Sequence, residues 1–580
     1  MIWLLLISAV AWQHGYSDAV QIDMQLLQHW DTNWEGQFNI PAMPHDVLGW
    51  ELKIHFSEPV SNIQQWDGEW LIKGDNGGQD YTLLNKVDKG YHPAGTPFNV
   101  RMMGKFSGST APSGTAEFID LTGDSQTVPP INIPASQQTT DYNYEEVLVK
   151  SLLFYEAQRS GKLPANNRIP WRGDSALDDR GSNGEDLTGG YYDAGDHVKF
   201  NFPMAYTTTM LAWGYLEWKD AYIKSGQQQE LLDAIKWPLD YFIKCHVAPH
   251  ELYVQVGDGG PDHGYWGRPE NMTMARPAYK ITESKPGSDV AGETAAAMAA
   301  GSIAFKHINK TYSDILLTHA KQLYEFATQF TGKYSDSVNQ AAAYYRSGDY
   351  QDELGWAGVW LYQATGDRQY LTDAEANRVS GAGWGDSWDD KTTYTNILLY
   401  KITKKDIYKT DIEATYTDWM PGGSLPYTPG GMAYRLQWGA LRYTVNMGLG
   451  AMMAADTGLH SDEYRCWALS QIKYALGENP AHHSYVVGFG TDAPTRPHHR
   501  SSSCPNVPAP CGWDAQKNPG PNPHTLYGAL VGGPGKNDEY VDDRMDYVKN
   551  EVACDYNAAW QSAIAGLIHL ALHNQYPSCP

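Results

Sequence analysis

Two clusters of carboxyl groups, far apart in the chain and both set among aromatic rings, are the residues best placed to do chemistry. Residues 540–558, YVDDRMDYVKNEVACDYNA, carry Asp542, Asp543, Asp546, Glu551 and Asp555 among Tyr540, Tyr547 and Tyr556, with Glu539 just before them. Crowded carboxylates repel when ionised, which drives one pKa upward. A carboxyl that keeps its proton near neutral pH can act as a general acid. The plainer alternative is a helix N-terminus stocked with acids to match its dipole. Residues 187–202, LTGGYYDAGDHVKFNF, hold Asp193 and Asp196 around Ala194 and Gly195, in a turn where glycine lets the backbone bend sharply and approach a ligand. One acid to protonate a leaving oxygen, a second carboxylate to activate water, and rings to hold sugars are what hydrolysis of a glycosidic bond requires.

The elements that must position these groups divide the chain. Residues 1–19 begin with the apolar run MIWLLLISAVAW, too short to span a bilayer and of the kind that forms a secretory signal, with cleavage expected near Ala19. In 20–120, Trp50, Leu52, Ile54 and Phe56 alternate with Glu51, Lys53, His55 and Ser57. This is the period of a half-buried strand, and its recurrence between Gly, Asn and Pro predicts a small all-β antiparallel sandwich. Trp34, Trp66 and Trp70 stand beside polar residues, which marks a binding surface, although Trp70 also suits a core. Residues 121–140 are a Pro/Ser/Thr linker. From 141 to 580 the texture is helical: 144–159 as an amphipathic helix, then 293–305, 318–330, 436–455, 461–475, and a last helix through Trp560, Ile564, Leu567 and Ala571. With no strands alternating with these helices, the class is all-α, a helical barrel with its chemistry in the loops.

Composition narrows the partners. The chain has 580 residues, too many for one ordinary domain, and a net charge of −24, which disfavours nucleic acid and anionic membranes. Its 21 Trp and 38 Tyr serve mostly as core, and some stack on sugar faces. Of six cysteines, Cys504 and Cys511 close a short Pro-rich loop and are expected to pair, while Cys245, Cys466, Cys554 and Cys579 allow several pairings or free thiols. Asn271 and Asn309 begin glycosylation sequons. His498 and His499 are adjacent and must point apart, which suits substrate contact better than a shared metal.

Residues 20–120 resemble a family 2 cellulose-binding module, through NWEGQF, Gly49-Trp50, Gln65-Trp66 and Pro93-Ala94-Gly95. That resemblance assigns Trp34 and Trp66 to a flat cellulose-binding face. The third aromatic position of such modules falls near Asp88, with Tyr91 close by, and their terminal cysteine pair is absent. Residues 141–575 closely resemble glycoside hydrolase family 9. The C-terminal signature is met at Tyr540, Asp542, Tyr547, Glu551, Ala553, Asn557 and Ala558, and the histidine signature at Ser484, Val486, Val487, Gly490, Pro497, His498 and Arg500. The histidine signature departs at Asp492, where the family has Asn, Lys or Arg.

The resemblance implies an (α/α)6 barrel that hydrolyses β-1,4-glucan with inversion and without an organic cofactor. Inversion requires the acid and base roughly 6.5–9.5 Å apart. By the same resemblance Glu551 is the general acid, Asp196 the base, Asp193 a holder of the attacking water and Asp542 an organiser of the site. His498, Arg500, His263 and Arg442 hydrogen-bond sugar hydroxyls, Tyr556 lies near the reacting sugar, and Trp266, Trp384, Trp438 and Tyr344 line the cleft. A structural calcium in some relatives maps onto Asp349, Asp352, Glu353 and Asp389, where acids beginning a helix are the simpler account. The expectation is a secreted, monomeric endo-β-1,4-glucanase acting on cellulose and soluble β-1,4-glucans, with activity falling on both sides of a mildly acidic optimum. Two other readings fit the same residues: a hydrolase of mixed-linkage glucan, xylan or chitosan oligomers, and a carbohydrate-binding protein without turnover.

Overall fold

The computed structural model describes residues 19–123 and 140–579; the signal segment and most of the linker lie outside the described residues. The chain divides into two compact units, one comprising residues up to Asp124 together with Cys504–His524, the other comprising the remainder. The Cys504–His524 segment, placed by sequence in the helical domain, thus belongs to the first unit. There Ala509 joins Leu84, Ile119 and Leu121 in a small apolar cluster.

The first unit is a β-sandwich of eight strands: β1 Val20–Trp30, β2 Asn33–Ile40, β3 Trp50–Phe56, β4 Val60–Gln65, β5 Gly68–Gly74, β6 Asp80–Asn85, β7 Phe98–Phe106 and β8 Gly114–Asp120. The order is β4-β7-β2-β1-β8-β3-β6-β5. Strand β1 links the layers, pairing with β8 over Val20–Asp23 and with β2 from Met24 onward. Strand β3 buries Trp50, Leu52, Ile54 and Phe56 in the expected alternation. The tryptophans depart from expectation. Trp34 is in phase with Phe38 and Ile40 on the inward face of β2, is 0% exposed, and packs on Phe56 at 5.2 Å. Its role on a flat binding face is therefore corrected to a core residue. Trp66 is 50% exposed, and Trp70 is half-buried against Tyr81.

Among the described residues, twelve helices of ten residues or more build the second unit: α1 Tyr144–Ala157, α2 Asn201–Glu217, α3 Gln228–Cys245, α4 Ser288–Phe305, α5 Lys310–Gln329, α6 Gln351–Thr365, α7 Arg368–Asn377, α8 Thr392–Thr403, α9 Asp406–Trp419, α10 Ala440–Asp456, α11 Ser461–Leu476 and α12 Cys554–Leu572. Helices α2, α4, α6, α8, α10 and α12 close an inner ring, each packing on the next and α12 returning to α2. Helices α1, α3, α5, α7, α9 and α11 back them. This is an (α/α)6 barrel. Small residues let the inner helices approach. In α4 a Cβ on Gly301 would lie 2.5 Å from a Leu239 methyl of α3, and in α2 a Cβ on Gly214 would lie 2.3 Å from Ser562 Oγ of α12.

Two sequence expectations need correcting here. Helix α1 is not amphipathic, since every residue but Glu146 is buried; the 486–489 segment covers it, with Lys150 Nζ donating to the Gly488 carbonyl. The unit is also not strictly all-α, because Lys199–Phe200, His246–Ala248, Glu251–Val256 and Ala278–Ile281 form a small antiparallel sheet. No described helix is long and apolar enough to cross a membrane. Disulfides join Cys504 to Cys511 and Cys466 of α11 to Cys579, while Cys245 and Cys554 are buried free thiols.

Candidate active site

The two acid clusters meet through the backbone. The turn carrying Asp193 and Asp196 leads into α2, and its Asp193 N–H donates to the Val198 carbonyl at 3.0 Å. Gly195 is pressed against the histidine segment so tightly that a Cβ there would lie 2.1 Å from the His498 carbonyl oxygen. Only glycine fits this approach. The Arg500 N–H donates to the Gly195 carbonyl at 3.1 Å, and the Cys554 N–H donates to the Asp193 carbonyl at 2.9 Å. His498 in turn pairs in parallel beside Glu551, its N–H donating to the Asn550 carbonyl at 2.8 Å. The turn before α2, the histidine segment and the segment before α12 therefore form one hydrogen-bonded unit.

On one side of this unit Asp193 is buried, and the Tyr345 hydroxyl donates to its carboxylate. Burial, then the charges of Asp196 and Asp555, push the Asp193 carboxyl well above the usual carboxylate range. Asp196 lies 3.3 Å from His263 Nε2, and its other oxygen accepts the Ala194 N–H at 3.3 Å. Burial would lower the His263 pKa, but the hydrogen bond to Asp196 and the charge of that residue outweigh it, so His263 is raised. Behind this pair Asp262 is 1% exposed and receives the Arg500 guanidinium and the His197 N–H. Burial and the Asp196 charge raise Asp262, against the pull of Arg500.

On the other side, Glu551 Oε2 accepts the Trp438 indole N–H at 2.5 Å and the Tyr556 hydroxyl at 3.0 Å. Burial outweighs both donors and pushes the Glu551 carboxyl up to about 7. Gly439, at φ 64, caps α10 from just before its first residue and leaves room for Tyr556, whose hydroxyl would lie 2.7 Å from a Cβ there. In the first turn of α12, Asp555 is fully buried and paired with Arg442 at 2.9 Å. Burial raises its carboxyl despite the guanidinium. His498 Nδ1 faces the Arg544 carbonyl at 2.7 Å, so Nδ1 holds the hydrogen and Nε2 is a free acceptor. Burial lowers the His498 imidazole to about 4, keeping it neutral. Asp542 accepts the Thr495 and Arg496 N–H groups at 2.8 and 3.0 Å, fixing the turn before His498. His499 points the other way, to Gln158 Oε1 at 2.9 Å.

Aromatic rings extend from both sides. Tyr344 meets His263 edge-on at 5.0 Å, Trp438 lies 5.5 Å from Tyr547, and Trp384 packs on Tyr443 at 5.3 Å. Tyr344, Trp384 and Trp438 are 40%, 47% and 45% exposed, open to a ligand. Three expected substrate contacts are placed differently. Trp266 is buried, its indole N–H held by Ser503 Oγ at 3.0 Å, and meets His498 edge-on. Arg442 and Arg500 are buried in ion pairs with Asp555 and Asp262. Their guanidiniums brace the carboxylates rather than facing an open cleft. Tyr345, Asp262, Asp555 and Gln158 were given no role in the sequence-derived site. Two carried a readable signal, since Asp262 precedes His263 and Asp555 lies four residues after Glu551; Tyr345 was hidden beside Tyr344. Gln158, whose amide N–H groups hold the Tyr192 and Ala194 carbonyls, carried none.

Around the residues assigned to calcium, Asp352 accepts the Lys391 N–H at 2.7 Å, Glu353 pairs with Lys391 Nζ at 2.7 Å, and Asp389 accepts the Gly348 N–H at 2.8 Å. Asp349 is exposed and turned to the Tyr350 N–H, so it leaves the ligand set. Among the described residues, the metal-type side chains that converge within 4.8 Å are Asp196 with Asp262 and His263, and Asp220 with His569 and His573. The calcium residues do not form such a group. Their chemistry still suits a hard cation: they are oxygen donors, and burial raises Asp352 and Glu353 and brings Asp389 up to about 7. The Lys391 ammonium pairs with both Glu293 and Glu353.

Comparison with known proteins agrees with this geometry. Residues 144–564 match the family described as "Glycosyl hydrolase family 9". Endoglucanase B of Cellulomonas fimi is 50% identical over 446 residues, covering 74% of this chain and 42% of its own length; this chain thus spans under half of that relative. An endoglucanase structure from the termite Nasutitermes takasagoensis is 53% identical with a TM-score of 0.72, over 74% of this chain and all of that one. The cellulase Cel9M of C. cellulolyticum, solved with cellobiose, is 36% identical with a TM-score of 0.69, over 74% of this chain and 98% of that one. With a barrel of six inner and six outer helices, and with the two acid clusters joined at its loops, the chain is a glycoside hydrolase belonging to glycosyl hydrolase family 9.

Proposed function

We propose that the protein is an endo-β-1,4-glucanase that cuts internal bonds of cellulose and soluble β-1,4-glucans with inversion. The observation that carries this is the contrast between two carboxyls of one site. Glu551 is held protonated up to about pH 7 by burial, while Asp196 lies beside His263, a base whose pKa is raised. In this reaction Glu551 gives its proton to the leaving glycosidic oxygen. Asp196 takes a proton from water, which forms the new C–O bond on the opposite face of the sugar. Asp193 helps to hold that water, Tyr345 fixes Asp193, and the neutral His498 offers Nε2 to a sugar hydroxyl. Trp384, Trp438 and Tyr344 stack on glucosyl rings. The named activities of the relatives support this substrate class. Two disulfides fit action outside the cell.

A calcium ion held by Asp352, Glu353 and Asp389 would add positive charge to a buried acid group that Lys391 already partly neutralises, and would stiffen the adjoining loop of Tyr344 and Tyr345. Chelation is expected to lower the Tm, with recovery on adding Ca2+. The test of the main reading is viscosity loss and reducing-end release on carboxymethylcellulose, beside Glu551→Gln. Wild type should thin the solution well before many ends appear, and the variant should lose about 10²–10⁴-fold in rate. A variant that retains full activity would remove Glu551 from the mechanism, and binding without turnover by wild type would make the protein a lectin-like binder.

A further inference from the structure

The last turn of α12 and the residue after it carry two histidines, His569 and His573, spaced i and i+4 so that both rings lie on one face. Asp220, in the first turn of the short helix Lys219–Lys224, faces both. His569 Nδ1 lies 2.9 and 3.0 Å from the two Asp220 oxygens, and His573 Nε2 lies 2.8 Å from Oδ2. The Ala221 N–H donates to Asp220 Oδ1 at 3.0 Å, which orients the carboxylate. One ligand atom from each residue falls within a 4.8 Å span, and the three side chains are 41%, 26% and 52% exposed for Asp220, His569 and His573. The group takes no part in the chemistry described above, because α12 places it about 28 Å along the helix from Cys554.

We propose that Asp220, His569 and His573 form a surface site for a borderline divalent transition-metal ion such as Zn2+, with solvent completing the coordination. Two imidazole nitrogens and one carboxylate oxygen are a donor set for such ions and a poor one for Ca2+ or Mg2+. At Zn–N and Zn–O bonds of about 2.0–2.1 Å, tetrahedral ligand atoms lie about 3.3 Å apart. The two histidine–aspartate separations need to open by only a few tenths of an ångström, and the two ring nitrogens, already within 4.8 Å of each other, need to settle to the same spacing, which side chains at this surface allow. The C-terminal end of a helix also favours a bound cation. A bare carboxylate–histidine salt bridge explains either ring alone. The sharing of Asp220 by two rings on one helix face is the arrangement that a metal ion would fill.

Such an ion would join the end of α12 to the helix that follows α2. Helices α12 and α2 begin just after Glu551 and just after Asp196, and they pack against each other, with Ser562 Oγ donating to the Met210 carbonyl. The metal would act as a clip on stability, leaving the chemistry unchanged.

Calorimetric titration of the metal-stripped full chain with ZnCl2 at pH 7.5 tests this, beside His569→Ala, His573→Ala and the double variant. One wild-type site is expected, weakened at least tenfold by each single change and missing in the double variant. Co2+ should give a visible absorption band in wild type only. Zn2+ should raise the Tm of wild type and not of the double variant, and turnover of carboxymethylcellulose should be the same in all four proteins. Zinc binding of equal stoichiometry and affinity in wild type and double variant, or no binding at millimolar Zn2+, would overturn the assignment.

Discussion

Trp34 and Trp438 each stand beside polar residues in the sequence, and the fold treats them in opposite ways. Trp34 sits on a strand, where period-2 geometry puts it in register with Phe38 and Ile40 and buries it completely. Trp438 sits in a loop before α10, remains 45% exposed, and aims its N–H at Glu551. Polar neighbours are thus uninformative on a strand, because adjacent residues face opposite sides of the sheet. In a loop no such alternation operates, and the outcome is set by what packs on the ring: Trp438 stays at the surface, whereas Trp266 is buried. The sandwich and the barrel loops differ in the same way throughout: aromatics of the first mostly hold its core together, and those of the second mostly surround carboxyls.

The largest effect that would sharpen this contrast concerns the two catalytic carboxyls themselves. Replacing Asp196 by Asn should lower turnover by about 10²–10⁴-fold while leaving the fold intact. Glu551→Gln should act on stability as well. The folded-state pKa of Glu551, about 7, is raised above its unfolded value. The stabilisation from holding the neutral acid is therefore complete below the unfolded value and is lost as pH rises through about 7. The Gln variant lacks this loss, so its Tm should exceed that of wild type by a few degrees at pH 8 and match it at pH 4.5. Equal differences at both pH values would show that burial does not hold the proton on Glu551.

Next in size is Trp34→Ala, expected to cost about 3–5 kcal/mol through the cavity left in the sandwich core. It should leave carboxymethylcellulose turnover unchanged at temperatures where the sandwich stays folded. Denaturant unfolding followed by tryptophan fluorescence measures it. A loss of cellulose binding with no loss of stability would return Trp34 to a surface role.

Trp438→Phe keeps a ring and removes one donor to Glu551. That hydrogen bond favours the ionised carboxylate, so its loss should raise the Glu551 pKa further and move the alkaline limb of the pH–rate profile to higher pH. An unchanged limb together with a raised KM would assign Trp438 to substrate stacking alone.

The barrel was legible because its inner helices are apolar and rich in small residues at helical spacing, as in residues 293–305, and the roles of Asp193, Asp196 and Glu551 were legible through the family resemblance, since acids at a helix start have a plainer use as well. The partners of these acids were harder to see. The pairing of Arg442 with Asp555 spans two inner helices, and that of Arg500 with Asp262 spans two loops; such distances in sequence leave no local pattern, so both arginines read as free to bind sugar. Tyr345 was hidden by its neighbour Tyr344, since nothing in a Tyr-Tyr pair says which ring turns inward to Asp193. The inward phase of Trp34 was visible in NWEGQFNI. The motif resemblance to a cellulose-binding face outweighed the plain alternation of Trp34, Phe38 and Ile40.

The smallest expected effect falls on Trp66, the exposed member of the pair once assigned to that face. With Trp34 in the core, Trp66 has no coplanar partner from the assigned pair, and a single exposed ring contributes about 1 kcal/mol or less of binding beyond its area. Trp66→Ala should therefore change the stability of the sandwich by less than about 0.5 kcal/mol and alter retention of the full chain on microcrystalline cellulose by less than about tenfold, the equivalent of 1.4 kcal/mol. A larger loss of retention would mean that Trp66 works with other exposed rings of the same unit, of which Trp30 and Tyr91 are 45% and 37% exposed. The double variants with these positions would then identify the partner by their departure from additivity.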